Sequence, residues 1–591
     1  MKHLVEDVVE TDILVIGGGG SAAIAAISAA ENGARPLIVD KGQMGKSGCT
    51  PNAHGGMAVS HLHPQDNWKI HFEDTMYSGG FLNDQRLVEI LCKESLKFIK
   101  KLESFGAVFD REPNGNYRLR TFGGHTYPRS IYSGDATGHE LMTCLKREIY
   151  RKDIPVINEV MILKLLIDDG RIAGALGIDK KNSNLYLFKA PTVIVATGGG
   201  VGSWPAAAER QMGDGYSMAL RAGAELIDME FIQYHPTHTW WPYGVRGSVS
   251  ESVRSEGGYL MNSLGERFMK KYAPKRMELS TRDYVSICEY REILEGRGSE
   301  HQGIYLSVAH LPPELIESKL RTVFSKYLVY GYDIRKQPME IKYRPHYYNG
   351  GIDIDHKGET KISGLYAAGE AAGGVHGGNR LGSNSLIDLV IFGEMAGRSA
   401  AVKALEKGYK RKINWEEIQK ERVKIDRLIN NESKQGIRPM SIRRSHTEMM
   451  DKFMGVIRSE SGIKKMLEEV EKLKEDIIPK LYVADKSRRY NYELIDTLEI
   501  FVRLDIEEMA TKAALLRRES RATHFREDYP KMDNKNWLKN IVFYMDNGEI
   551  KFTTRPIIKT ILDPQKIKEF YESDFPWHEE RNKGKEAGNK W

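Results

Sequence analysis

Cysteine is scarce in this chain: 591 residues contain four, Cys49, Cys92, Cys144 and Cys288, and no two lie within metal-ligand spacing. Structural zinc and an internal iron-sulfur cluster both require closely spaced thiolates, so neither is expected, no metal site is assigned, and a C-x-x-C redox pair is absent. Any one-electron carrier belongs to a partner. Long hydrophobic runs are missing as well: mean hydropathy is −0.47 and no apolar stretch approaches the ~20 residues that a membrane-spanning helix needs. Residues 13–30 are partly apolar, but their four glycines and the acids before them suit a nucleotide fold better than a signal peptide, and a cytoplasmic location is expected. Charge of one sign is also in short supply, with a net +6 spread over mixed Lys and Glu. No basic stripe is interleaved with aromatics, which argues against nucleic acid as a partner. The lysine-rich end, 579–591, carries acids too and reads as a solvated tail. No internal repeat is apparent, and the length suits about four domains at ~150 residues each.

What is present begins with glycine. Residues 12–16, Asp-Ile-Leu-Val-Ile, form the short apolar run of a buried parallel strand and break into Gly17-Gly18-Gly19-Gly20-Ser21-Ala22, a G-x-G-x-x-A pattern. Ser21 to Asn32 then reads as an alanine-rich helix stopped by Gly33, and Pro36 to Val39 as a second strand ending at Asp40, 21 residues after Gly19. Strand, turn, helix, strand and acid in that order predict a dinucleotide fold. The glycines let backbone approach a pyrophosphate at a helix N-terminus, and the acid meets ribose hydroxyls. Thr192 to Gly200 is a further strand running into a glycine turn; Gly364-Leu-Tyr-Ala-Ala-Gly369-Glu370 is another. Both resemble the flavin-dependent class, which favours FAD over NAD.

A second group of motifs lies between Phe231 and Arg380: His235-Pro-Thr237, Ser250-Glu251-x-x-Arg254-x-Glu256-Gly-Gly258, His346-Tyr-Tyr-Asn-Gly-Gly351 and His376-Gly-Gly-Asn-Arg380. Imidazoles, guanidiniums and a hydroxyl in such number suit a small dianion. Reducing a carbon-carbon double bond flanked by carboxylates needs a hydride at one carbon, a proton at the other and cations on both carboxylates.

With these motifs the chain resembles the flavoprotein subunit of the succinate dehydrogenase/fumarate reductase family, with L-aspartate oxidase a near relative. The likeness runs from Gly17 through Gly213-Asp-Gly215, Gly265-Glu-Arg-Phe268, Arg282-Asp283 and Arg380-Leu-Gly-Ser-Asn-Ser385 to Glu519-Ser-Arg521 and His524-Phe-Arg-Glu-Asp-Tyr-Pro530. Asn536-Trp-Leu-Lys539 and the apolar Ile541 to Tyr544 suit the dehydrogenase/reductase end better than the shorter oxidase. The resemblance implies an α/β fold: a discontinuous Rossmann-like FAD-binding domain (1–230 and 345–412), an α+β capping domain (231–344), a helical domain (413–528) and a small C-terminal domain (529–591). It implies FAD held by Gly17, Gly19, Gly20, Ser21, Ala22, Asp40, Lys41, Ser47, Cys49, Thr50, Gly55, Gly56, Ala196, Thr197, Gly198, Asp214, Glu370, Arg380, Ser383, Ser385 and Leu386. His235, Ser250, His346 and Arg380 would hold the carboxylates of fumarate or succinate. Arg282 would donate the proton, with Glu251 and Arg254 relaying it inward. An arginine acid is unusual, because its pKa lies above ~12, but a dry site with a second arginine and a carboxylate can reload it. An iron-sulfur subunit would exchange electrons with the chain, and partners could attach it indirectly to a membrane.

Three departures bear on function. Family members that oxidise succinate attach FAD through a histidine just upstream of an Ala-Gln-Gly-Gly element; here the run is Ser47-Gly-Cys49-Thr-Pro-Asn-Ala53-His54-Gly-Gly56, and Cys49 stands in the histidine's place. A non-covalent flavin, with His54 hydrogen-bonded to it, is expected, and a thioether from Cys49 is the minority option. The segment His238-Thr-Trp240-Trp241-Pro-Tyr243 is about three residues longer than usual, and its tryptophans are expected in the core of the cap rather than on a partner surface. Ser250 replaces threonine and keeps the hydroxyl. A fumarate-reducing catalytic subunit is expected; the alternatives are L-aspartate oxidase and a non-catalytic FAD electron relay within a larger complex.

Overall fold

The computed structural model describes residues 4–205, 211–406, 411–431 and 436–567; the tail 579–591 lies outside them. The chain is an α/β protein. Its centre is a five-stranded parallel sheet in the spatial order Leu365–Ala367, Thr192–Val195, Ile13–Ile16, Pro36–Asp40, Val156–Asn158. These strands are short and almost wholly apolar because helices cover one face and a second sheet packs on the other, leaving no polar side to alternate towards water. The helix after the first glycine turn spans Gly20–Glu31, one residue earlier at each end than expected. It crosses Asn384–Ala404 at very short range: a Cβ on Gly397 would sit 2.1 Å from Ala25 O, and one on Gly393 would sit 2.5 Å from Ile24 Cγ2. Two N-termini, Gly20 and Asn384, are thereby gathered beside the C-terminal ends of the central strands.

A second, mixed sheet (Asp7–Glu10, Leu185–Lys189, Arg171–Asp179, Val160–Asp168) flanks the first. The intervening region, from residue 231, carries an antiparallel sheet in the order Ile232–Trp241, Met339–Tyr348, Ile304–Ser307, Tyr259–Met261, with its own hydrophobic core around Val253, Leu260, Phe268, Val285 and Ile341. Met339–Tyr348 runs through the 344/345 boundary without a break, so the sheet of this region delivers its last residues directly to the parallel-sheet region. Trp240 and Trp241 are not in that core. Both are half-buried at the end of their strand; Trp240 lies beneath Lys342 and Arg344, and Trp241 stacks on His301 at 4.1 Å.

Trp415–Asn430, Pro439–Phe453, Glu460–Lys472 and Tyr492–Leu516 form the helical region. Lys539–Asp546 and Glu549–Pro556 close a small sheet with Leu226–Ile227 and Gly351–Ile352, knitting the C-terminal part to the centre. Fully buried Arg517 ties the same seam, donating to Glu230 Oε1 at 2.5 Å and Glu519 Oε1 at 3.1 Å. No helix among the described residues is long and apolar enough to cross a membrane.

Candidate functional site

The glycine turn at 17–20 is tight for a physical reason. Gly17 has φ +123°, and a Cβ there would meet Ala196 O at 2.2 Å; one on Gly18 would meet Asp40 Oδ2 at 2.3 Å. Gly199 is likewise pressed against Glu370, whose Oε1 would be 2.3 Å from an added Cβ. Asp40 is buried and accepts a hydrogen bond from Ser47 Oγ at 2.6 Å. Glu370 accepts one from Tyr348 N at 2.9 Å, and burial raises its carboxyl to about 7. Gly20 N donates to Thr50 Oγ1 at 3.3 Å, and Ala196 and Gly198 (φ +76°) form the neighbouring turn.

Three hydroxyls here, Ser21 Oγ, Thr197 Oγ1 and Ser383 Oγ, are buried with no hydrogen-bond partner in the structure, and neither of the two helix N-termini, at Gly20 and Asn384, has a side-chain cap. Orphan donors and uncapped helix starts around glycine turns fit the phosphates and hydroxyls of a dinucleotide. Ala22, Ser385 and Leu386 belong to the first turns of those helices. Gly56 is held against Ile131 O, where a Cβ would come within 2.5 Å, whereas Gly55 opens on space. Lys41 and Asp214 are bound to each other at 3.0 Å, and Lys41 also pairs with Glu499 at 2.6 Å, so this trio joins the parallel sheet to the helical region. Cys49 is a partly buried free thiol whose pKa burial drives upward, with Glu370 adding to the rise. His54 engages Asp135 O through Nδ1 at 2.7 Å.

Next to this cradle the cap sheet and the helix Arg282–Glu292 assemble the charged motifs. His235 and His346 face each other from paired strands, ring centroids 5.1 Å apart. His235 is buried and His346 half-buried, and desolvation with nearby Arg282 holds both rings neutral. Thr237 N donates to His235 Nδ1 at 3.2 Å, which assigns the ring proton to Nε2. Arg282 Nε donates to Glu251 Oε2 at 2.8 Å, and Arg254 Nη2 lies 3.6 Å from the same oxygen. Burial alone would raise Glu251, but Arg282, Arg254 and the Gly123 N–H at 2.9 Å bring it down to about 2. Arg380 is buried above the Tyr347 ring at 4.5 Å; burial and Arg282 depress it to about 10. Ser250 is buried at the same site and accepts from Ser252 N at 3.2 Å.

Three contributors escape a reading by motif. Gln233 joins the two arginines: its Oε1 accepts from Arg380 Nη2 at 2.7 Å and from Arg282 Nη1 at 3.3 Å, while Nε2 donates to Asn379 Oδ1 and Arg380 O. His238 adds a third buried ring 5.3 Å from His235, lowered to about 3 by burial and Arg344. Glu289 lies buried near Arg254. Only the strand alternation of Gln233 with His235 offered a signal, since residues two apart share a face.

The FAD binding domain family matches residues 12–386, and the fumarate reductase flavoprotein C-term family matches 443–569. One of the subunits of the fumarate reductase (CoM/CoB) of Methanothermobacter marburgensis is 44% identical over 538 residues, covering 90% of this chain and 97% of that one. A succinate dehydrogenase flavoprotein subunit of Rickettsia bellii is 32% identical, covering 94% and 96%. Among solved structures, Mycobacterium smegmatis Sdh1 in complex with UQ1 superposes with a TM-score of 0.84 at 36% identity, over 94% of this chain and 96% of that one.

Proposed function

Because the chain belongs to the FAD-dependent succinate dehydrogenase/fumarate reductase flavoprotein family, we propose that it is the catalytic subunit of a fumarate reductase. One observation carries the reading: Arg282, hydrogen-bonded to Glu251 and backed by Arg254, faces the same buried space as Arg380, His235 and His346. FAD, when bound, supplies a hydride to one carbon of the double bond. Arg380 and the Nε2–H of His235 hold carboxylate oxygens, with His346 and Ser250 completing the grip. Arg282 gives its proton to the other carbon, Glu251 returns one to Arg282, and Arg254 reloads Glu251. A guanidinium donates poorly in water; here Glu251, hydrogen-bonded to Arg282, is placed to return the proton that Arg282 gives up. The residues assigned to FAD keep that role except for the Lys41–Asp214 pair, which acts by fixing the cradle's outer wall.

The direction follows from Cys49. Without the histidine attachment the flavin is held non-covalently and at lower potential, which favours giving hydride to fumarate. Both fumarate-named matches, the C-terminal family and the relative from a fumarate reductase of several subunits, support this reading over L-aspartate oxidase. The second of them also supports an electron-exchanging partner chain, for which an iron-sulfur protein is the natural class. A non-catalytic relay has no use for a pocket of arginines and histidines. We divide the chain into the FAD-binding, capping, helical and C-terminal parts at 230/231, 344/345, 412/413 and 528/529.

Dye-coupled turnover of fumarate, succinate and L-aspartate tests the assignment, with Arg282→Ala beside the wild type. Fumarate reduction is expected in the wild type and a loss of ~10²–10⁴-fold in the variant, with FAD retained. L-aspartate oxidation exceeding fumarate reduction, or near-normal turnover in Arg282→Ala, overturns it.

A further inference from the structure

The charged chain that starts at Arg282 does not stop at Arg254. Arg254 is wholly buried; Nη1 donates to Glu278 O at 2.5 Å, but Nε and Nη2 make no hydrogen bond among the described residues. Glu289, also fully buried, has neither carboxyl oxygen in a hydrogen bond. Arg254 is the charged group that acts on it, and Tyr343, from the strand Met339–Tyr348, is the other titratable side chain that senses it. Arg254 in turn faces Glu251, Arg282 and Glu278. A carboxylate kept dry with both oxygens unbonded is costly, and protonation removes most of that cost. Burial accordingly lifts Glu289 well above the usual carboxylate range, with Arg254 opposing.

Helix geometry accounts for the placement. Glu289 follows Arg282 by seven residues on the helix Arg282–Glu292, about two turns, so both project from one face. Glu251 and Arg254 are three apart at the helix Ser252–Ser255, and this pair lies against that face. Arg282 meets Glu251, and Glu289 lies in the field of Arg254, beyond ion-pair distance, with the unbonded Nε and Nη2 of that guanidinium available to it.

We propose that Glu289 is the proton-holding end of the relay, a positioning residue that acts through Arg254. This rests on the reading that Arg282 protonates the substrate. Once Arg254 has passed a proton to Glu251, the Glu289 O–H bond breaks and a new N–H bond forms on Arg254. The carboxylate left behind is stabilised by the restored guanidinium until a proton drawn from bulk solvent replaces the one it gave up. One proton moves per substrate reduced, and no electron moves along this path.

The test is Glu289→Gln as holoenzyme, assayed for fumarate reduction in water and in deuterium oxide, with Arg282→Ala in parallel. The variant is expected to lose about tenfold in kcat, less than the ~10²–10⁴-fold of a group that transfers its proton to the substrate directly, because Glu289 acts through Arg254, with KM and FAD absorbance unchanged and a larger solvent isotope effect on kcat. Glu289→Asp, which keeps an acid, should recover part of the rate. A purely structural role would move FAD content or thermal stability but not the isotope effect. Wild-type kcat and isotope effect in Glu289→Gln, with Arg282→Ala inactive, overturns the role of Glu289 alone. An active Arg282→Ala overturns the underlying reading. If Glu289→Gln does not accumulate folded, the isotope effect of Glu289→Asp decides: above wild type supports the proposal, equal to wild type refutes it.

Discussion

Gln233→Leu is the most direct probe of how the site is aimed. The side-chain amide sits between two guanidiniums, and only its oxygen can face them, since arginine has donors and no acceptor. Removing it deletes the 2.7 Å bond from Arg380 and the 3.3 Å bond from Arg282, and leaves Asn379 Oδ1 without the donor it has now. A hydrogen bond to a charged group contributes ~1.5–3 kcal/mol. The shorter contact should count nearly in full and the longer one in part, giving about 2–4 kcal/mol in kcat/KM, or ~30- to 1,000-fold at 1.36 kcal/mol per decade. The split is informative: freeing Arg380 raises KM, and freeing Arg282 lowers kcat. Leucine has almost the same volume, so FAD absorbance should not change. Gln233→Glu would instead place a carboxylate between the guanidiniums and cancel the positive field that draws a dianion, so KM should rise further than in the leucine variant. Steady-state dye-coupled fumarate reduction measures all of this. A Gln233→Leu enzyme within about threefold of wild type in kcat/KM would show that the two arginines are positioned by something else.

Asp283 is buried beside Asn379, and burial raises its carboxyl from 3.8 to about 6. The folded state therefore holds this proton more tightly than the unfolded one, and the group's contribution to stability falls as pH rises from ~4 to ~6. Asp283→Asn should accordingly add more stability at pH 8 than at pH 4, by up to about 3 kcal/mol, seen as a larger rise in Tm at pH 8; an equal gain at both would refute it. Acid precipitation should release FAD from the polypeptide, because a free Cys49 thiol stands where a histidine would attach it; flavin fluorescence that stays with the chain on a denaturing gel would contradict this. On one preparation, fumarate reduction should outpace succinate oxidation, each ~30 mV of lowered flavin potential being worth about 1.4 kcal/mol; a flavin potential at or above the fumarate/succinate couple would sink the argument.

The parts of the molecule that sequence discloses are those where one residue type is forced by backbone geometry. Gly17 and Gly18 have no room for a side chain, and a buried parallel strand has no polar face, so the nucleotide fold could be read locally. The fold class and the charged motifs were legible for similar reasons. Gln233 and Glu289 were not: a glutamine in a strand and a glutamate in a helix are ordinary surface choices, and only the pairing of Ile232–Trp241 with Met339–Tyr348, and of the helix Arg282–Glu292 with Glu251, turns them inward. The tryptophan pair failed in the opposite sense. Large aromatics suggested a core, but the strand that bears them ends at the sheet's rim, where Trp240 has Lys342 and Arg344 for neighbours. Lys41 and Asp214 show the same limit, because their partner Glu499 comes from a helix more than 280 residues away in sequence.

The balance of charge explains why these residues tolerate one another. Arg254 and Arg282 share one carboxylate, Glu251, Arg380 is joined to Arg282 only through Gln233, and the three histidines cannot share the positive load because burial and the arginines hold them neutral. The chain's own groups thus leave an excess of positive charge in a dry space, and Arg380, depressed to about 10, registers the strain. A ligand with two carboxylates supplies the missing negative charge at the two places where Arg380 and the imidazoles are aimed. A monocarboxylate supplies half of it, and a zwitterion such as an amino dicarboxylate brings a third charge of the wrong sign. On the proposed reading, electrostatics and geometry would select the same substrate, fumarate over L-aspartate. Reduction of the double bond leaves the two carboxylates in place, so the product remains matched to the same cations while the proton given up by Arg282 has to be replaced before the next turnover. On the proposed mechanism that replacement would come from within the buried cluster or through it, and Arg282, Glu251 and Arg254, placed in sequence behind the site, offer it a path.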